Sequence, residues 1–164
     1  MKYFAYGSNL NIKQMTWRCQ DADPLGEFTL EGFQLVFRYY ADIIPVEGKS
    51  VKGGLWEISE GDEKVLDSYE AFPHLYGKYY KKDIMYYRMH ADVRDLELPS
   101  HGYLAGMLEG MENFGLSPLE DLNHNLGNAP SDNIKRKGDL LQPALQMIAD
   151  AMGLSIADDD SSHY

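Results

Sequence analysis

The chain has one cysteine, Cys19, in 164 residues, so no internal disulfide can form and nothing points to an oxidising compartment. It is also short of positive charge: 15 Lys and Arg stand against 26 Asp and Glu, a formal net charge of −11. Phosphate backbones and anionic lipid surfaces are bound by clustered cations, so this balance argues against nucleic acid or a membrane as partner and mainly favours solubility. The basic run Lys135-Arg136-Lys137 is short and reads as a solvated loop. Long apolar runs are missing as well. The start Met1-Lys2-Tyr3-Phe4-Ala5-Tyr6 resembles neither a signal peptide nor a membrane span, and the expected location is the cytoplasm. His74, His90, His101, His124 and His163 are scattered without HxxxH or paired-Cys spacing, and there is no G-x-G-x-x-G or P-loop run. Neither a metal nor a cofactor is expected, and Ser8 has no identifiable His and Asp partners for a nucleophilic role.

What is present is a chain that is 44 % hydrophobic and 12 % aromatic, long enough for one domain with a substantial core. Lys2-Tyr3-Phe4-Ala5-Tyr6 reads as an aromatic strand bounded by Gly7. Ile12, Met15 and Cys19 then recur at helical spacing, with Asn9 or Asn11 as N-cap. A helix opening directly after a glycine turn leaves its first N–H groups free for an anion, which makes Tyr6-Gly7-Ser8-Asn9-Leu10 a candidate carboxylate site. The competing reading is an ordinary strand–turn–helix junction.

The second candidate is a carboxylate. Ser59 and Asp62 have capping-box spacing, and Val65, Leu66, Tyr69 and Phe72 follow at helical intervals, predicting a helix over residues 60–70. Glu70 falls at the inward margin of that apolar stripe, crowded by Tyr69, Phe72, Tyr76 and Tyr79. Burial there would raise its pKa toward neutrality and make it a useful proton acceptor or donor. The competing reading is a helix-end Glu facing water. Cys19 and the methionines at 85, 89, 107 and 111 read as core fillers.

Strands are expected at Phe33–Phe37, Val51–Ile58 and a long aromatic Tyr79–Met89, with loops over Tyr39–Val51 and His90–Ser100 and a bulge or sharp bend at Gly53-Gly54. Ser100 caps a helix carrying Tyr103, Leu104, Met107, Leu108 and Met111 that ends at Gly115. Ser117-Pro118-Leu119-Glu120 opens another. Strands clustered early and helices at 60–70 and after 100 indicate an α+β fold. The domain is expected over residues 1–127, followed by a helical extension over 128–164 with an acidic, disordered tail. In that extension Leu145, Ile148, Ala149 and Met152 share one face, expected to pack on the chain's own domain, with a homodimer as the alternative.

Several of these segments occur in the order seen in gamma-glutamylcyclotransferase-like proteins, which the chain resembles over about residues 2–126. They are Tyr3-Phe4-Ala5-Tyr6-Gly7-Ser8-Asn9-Leu10, Arg18-Cys19, Ala41-Asp42-Ile43-Ile44-Pro45, Gly54-Leu55-Trp56-Glu57-Ile58, Leu66-Asp67-Ser68-Tyr69-Glu70 through Pro73 to Tyr76, Pro99-Ser100 with Tyr103, and Glu112 to Glu120. The resemblance implies a small mixed β-barrel flanked by helices and a gamma-glutamyl substrate cyclised to 5-oxoproline with release of an amine or amino acid. It implies Glu70 as the acid and base, Gly7, Ser8, Asn9 and Leu10 as the cradle for the substrate's α-carboxylate, and Tyr103 lining the site. Tyr6 and Tyr76 complete the expected wall. Ala71 stands where many relatives carry Gly, a change expected to narrow the pocket. Two other classes share these features: a non-catalytic binder of gamma-glutamyl or other carboxylates, and an interaction module that docks through its terminal helix.

Overall fold

The computed structural model describes residues 1–118 together with 121, 146, 147 and 150. Its elements are β1 (Lys2–Ala5), a 3-10 turn (Ser8–Leu10), α1 (Ile12–Arg18), β2 (Asp23–Arg38), β3 (Tyr40–Glu57), α2 (Glu60–Tyr69), β4 (Tyr76–Lys81), β5 (Ile84–Met89) and α3 (His101–Asn113). The strands form one mixed sheet in the order β2-β3-β1-β5-β4. β1 is central, antiparallel to β3 and parallel to β5. This is the α+β architecture expected from the segment pattern.

The sheet is not closed into a barrel, because β2 and β4 remain its two ends. It curls instead. Register shifts between Pro24 and Gly26 and between Glu31 and Phe33 bend the β2–β3 hairpin, and its distal half folds back over β5. There Arg88 Nε donates to the Ile43 carbonyl at 3.1 Å, and the Phe33 and Tyr86 rings meet edge to face at 5.4 Å. Lys81 Nζ donates to the Glu31 carbonyl across the same gap. Side chains bridge the ends of the sheet where a barrel would carry a backbone ladder.

Other strand expectations need revision. The Tyr39–Val51 loop is strand: β2 and β3 meet at Tyr39, in a left-handed conformation at φ 69°, and pair from Arg38 and Tyr40 onward. The single strand over Tyr79–Met89 is two, β4 and β5, joined through Lys82 at φ 56°. That turn lacks the Gly or Asn that marks positive φ in a sequence. The irregularities lie elsewhere than Gly53-Gly54: Leu25 is an extra residue on β2, and Gly32 of β2 faces the four unpaired residues 46–49 of β3. Those two glycines are close-approach positions, where added side chains would meet the Ala5 carbonyl and the Phe114 ring.

The helices follow their local signals. Ser59 and Asp62 form the complete capping box of α2. Ser100 accepts the Tyr103 N–H to open α3, and Gly115 follows that helix at φ 71°. α1 starts at Asn11, whose side chain accepts from Gln14 N–H. Met85, Met89, Met107 and Met111 are all buried, as is Cys19. Ser117 donates its N–H to the Asp121 carboxylate, while Glu120 lies outside the described residues. Most of the expected helical extension over 128–164, including its acidic tail, lies outside the described residues. Of the described positions there, Gln146, Met147 and Asp150 are helical, and Met147 packs against the core.

Candidate active site

A cavity of about 220 Å³ opens where the end of β1, the 3-10 turn, the tip of the β2–β3 hairpin and the C-terminal end of α2 converge. It brings together Tyr6, Gly7, Ser8, Asn9, Glu70, Tyr76 and Tyr103 of the residues expected from sequence. Leu10 is not among them: it is 1 % exposed in the core. The turn advances it one residue past the cavity, and its N–H is spent on the Gly7 carbonyl.

Glu70 is the C-cap of α2, its N–H bonded to the Leu66 carbonyl at 2.8 Å, and its half-buried side chain turns into the cavity. Among the described residues it is the only Asp or Glu in the lining. Burial pushes its pKa from 4.5 up to about 7, against the opposing pull of the Asn9 hydrogen bond and the Arg18 charge. Asn9 Nδ2 donates to Glu70 Oε1 and to Tyr3 Oη, each at 2.9 Å. On its other side Asn9 Oδ1 accepts from Arg18 Nη1 at 2.8 Å. The Arg18 guanidinium in turn stacks on the Tyr69 ring, 3.8 Å from its centroid.

Seven tyrosines line the cavity, and their hydroxyls are not equivalent. Tyr6 donates to the Tyr87 carbonyl, Tyr76 to the Ala41 carbonyl and Tyr87 to Asp67 Oδ1, so these three have spent their one hydrogen on the protein. Tyr69 shares hydrogen bonds with Ser8 Oγ and Arg18. Tyr103 Oη accepts from the Ala41 N–H at 3.1 Å, and Tyr3 Oη accepts from Asn9, which leaves both of their hydrogens for a ligand or for Glu70. Burial raises the pKa of Tyr103 and of Tyr3 above the phenol range, so both stay neutral donors. Ala41 is held in turn by its neighbour: the buried Asp42 carboxylate accepts from Ile43 N–H, Met89 N–H and Arg38 Nε.

The anion cradle differs from its expected form. The start of α1 is occupied, with Ile12 N–H on Asn113 Oδ1 and Gln14 N–H on Asn11. What faces the cavity is the turn itself, where the N–H groups of Gly7, Ser8 and Asn9 take no backbone acceptor among the described residues, although that of Ser8 donates to the Tyr103 hydroxyl. Gly7 is required by space: a Cβ there would lie 2.8 Å from Tyr103 Oη and 3.1 Å from Ala41 Cβ.

Phe72 and Tyr79, expected to crowd Glu70, do not reach it. Phe72 lies under Lys78, and Tyr79 stacks on Tyr86. Ala71 sits at φ 49°, exposed and outside the lining, so it turns the chain away from the cavity without narrowing it. Sequence reasoning missed Tyr3, Tyr40, Ala41, Leu75 and Tyr87 in the wall and Arg18 behind it. Tyr87 shares an inner face with Met85 and Met89 by strand alternation, a signal lost when β4 and β5 are read as one strand. Cys19 is buried, its thiol pushed up to about 11. Among the described residues no cluster of His, Cys, Asp or Glu could hold a metal ion, and no helix is long and apolar enough to cross a membrane.

Comparison with known proteins bears on the family and the fold. The chain belongs to the gamma-glutamyl cyclotransferase, AIG2-like family, whose family model matches residues 3–109. Among solved structures, one described as a gamma-glutamyl cyclotransferase has a TM-score of 0.63 at 22 % identity, covering 87 % of this chain and 98 % of that one. An uncharacterized human protein gives a TM-score of 0.63 at 22 % identity, covering 86 % and 97 %. At that identity both establish the shared fold. A search of curated proteins by sequence gave no match.

Proposed function

We propose that the protein converts a gamma-glutamyl amide or peptide to 5-oxoproline and a free amine or amino acid, with Glu70 moving the proton. The observation that carries this reading is a carboxylate with a pKa of about 7, the only one among the described residues of a cavity otherwise walled by tyrosines and the Gly7–Asn9 turn. The substrate's α-amine attacks the γ-carbonyl carbon of the same residue. One C–N bond forms to close the lactam, and the C–N bond to the departing nitrogen breaks. Both reactants belong to one molecule, so holding it folded supplies much of the acceleration. The α-ammonium, with a reference pKa of about 7.7–8.0, must first give up a proton. Glu70 accepts that proton and returns it to the leaving nitrogen, which would otherwise depart as an amide anion.

The α-carboxylate would rest against the turn of Gly7, Ser8 and Asn9, drawing the Ser8 N–H away from the Tyr103 hydroxyl, and that hydroxyl would donate to the substrate. At about 220 Å³ the cavity is smaller than the ~300–1,000 Å³ of ordinary ligand pockets. It suits a glutamyl unit, with the leaving group at the mouth beside the partly exposed Tyr40 and Tyr69. A cofactor-independent reaction in the reducing cytoplasm fits a chain with one unpaired cysteine.

The test is a turnover screen over gamma-glutamyl dipeptides, gamma-glutamyl amines and glutathione, scored for 5-oxoproline. Release of 5-oxoproline by the wild-type protein and its loss in Glu70→Gln supports the reading. Tight binding of these compounds without any 5-oxoproline would make the protein a binder and overturn it.

A further inference from the structure

We propose that Arg18, acting through Asn9, is a positioning residue that fixes the orientation of the Glu70 carboxylate and supplies the positive charge that faces it. Its kinetic consequences rest on the cyclotransferase reading, but its structural core does not.

Arginine has five N–H donors and no acceptor, so the atom of Asn9 that meets Arg18 Nη1 at 2.8 Å must be the carbonyl oxygen. That contact settles the amide's orientation. Its NH₂ group then faces the cavity and spends both hydrogens, one on Glu70 Oε1 and one on Tyr3 Oη. Turned the other way, Asn9 would aim lone pairs at a carboxylate. Arg18 is held in place by its stack on Tyr69 and by a 2.9 Å bond from Nη2 to Gln14 Oε1.

The charge argument is independent of the orientation argument. In a chain of formal charge −11, Arg18 has no carboxylate within ion-pair distance among the described residues and bonds only to neutral oxygens. Its charge is therefore not cancelled before it reaches Glu70, one amide group away. Among the described residues no other group around Glu70 competes. Tyr3, Tyr6, Tyr76, Tyr87 and Tyr103 all have hydroxyl pKa values raised by burial and are neutral at working pH. The Cys19 thiol is also neutral, with burial lifting it to about 11. Asp42 on β3 is paired with Arg38, and Asp67 on α2 with Lys78.

The experiment compares wild type with Arg18→Met and Arg18→Lys by two readouts. The first is the Glu70 titration midpoint, followed by carboxyl ¹³C NMR without substrate. Removing a nearby cation disfavours the carboxylate, so Arg18→Met should move the midpoint up by about half a unit to one unit, and Arg18→Lys should leave it close to wild type. The second is the pH profile of 5-oxoproline formation. Its acidic limb should follow the NMR midpoint, and kcat should fall about 10- to 100-fold in both variants with KM changed less than about threefold, because lysine restores charge but not the fork that holds Asn9 and Tyr69 together. An unshifted midpoint in folded Arg18→Met overturns the charge role. Wild-type kcat in Arg18→Lys, which keeps the cation and is the safer variant to fold, overturns the orientation role. If wild type makes no 5-oxoproline, the functional reading fails while the titration still decides this one.

Discussion

Replacing Glu70 with Gln should make the protein more stable and less active at once, and the two effects have one cause. In the folded protein the carboxyl pKa stands at about 7 against an ordinary 4.5, so folding favours the protonated form. Such a group carries no penalty below pH 4.5, where it is protonated in both states. The penalty grows as pH rises through that window and levels off above about pH 7. A shift of about two and a half units corresponds to at most about 3 kcal/mol at pH 8. Gln has the same shape and no charge to desolvate, and its carbonyl can still accept from Asn9 Nδ2. Glu70→Gln should therefore gain about 1–3 kcal/mol at pH 8, a rise of about 2–4 °C in Tm per kcal/mol for a chain of this size, and almost nothing at pH 4.5. Turnover should drop by about 10²–10⁴, since the amide cannot take the ammonium proton. Thermal unfolding at both pH values, beside 5-oxoproline release, reads the two effects on one preparation. A variant no more stable than wild type at pH 8 would show that the carboxylate is well solvated. The argument for its role would then fail, whatever the activity.

Three further outcomes follow from the geometry. Gly7→Val should weaken 5-oxoproline or glutamate binding by tenfold or more in a calorimetric titration while the fold persists, because its side chain would enter the space of Tyr103 Oη; unchanged affinity would make the turn merely structural. Tyr103→Phe leaves the Ala41 N–H without its acceptor, so it should cost about 1–3 kcal/mol in denaturant unfolding, and it should also lower kcat, a loss that a purely structural tyrosine would not produce. Ala71→Gly should raise stability by about 1 kcal/mol by relieving a left-handed residue, with turnover unchanged because Ala71 lies outside the cavity; a loss of stability would contradict the strain.

Local chemistry was legible in the sequence wherever a signal and its target lie within a few residues. The Ser59–Asp62 box, the Ser100 cap, the Asn11 start of α1 and the buried methionines all stand where spacing put them, because hydrogen bonds three residues apart and helical periodicity depend little on the rest of the chain. The same holds for Glu70: its place at the end of an amphipathic helix was readable, and so was the glycine at position 7.

What the cavity is made of was decided by the tertiary structure. Tyr3, Tyr87 and Tyr103 lie on three elements that meet only after β1 is inserted between β3 and β5. Ala41 reaches them because two bends fold the hairpin tip back over β5, and neither bend is announced at the residues it delivers. Leu10, one step along the turn from Asn9, points into the core because a 3-10 turn intervenes before α1. The pKa of Glu70 is likewise a property of its surroundings. It is set by the water that β1, β5 and α3 exclude and by a guanidinium held at the far end of α1, and no run of residues around position 70 contains either.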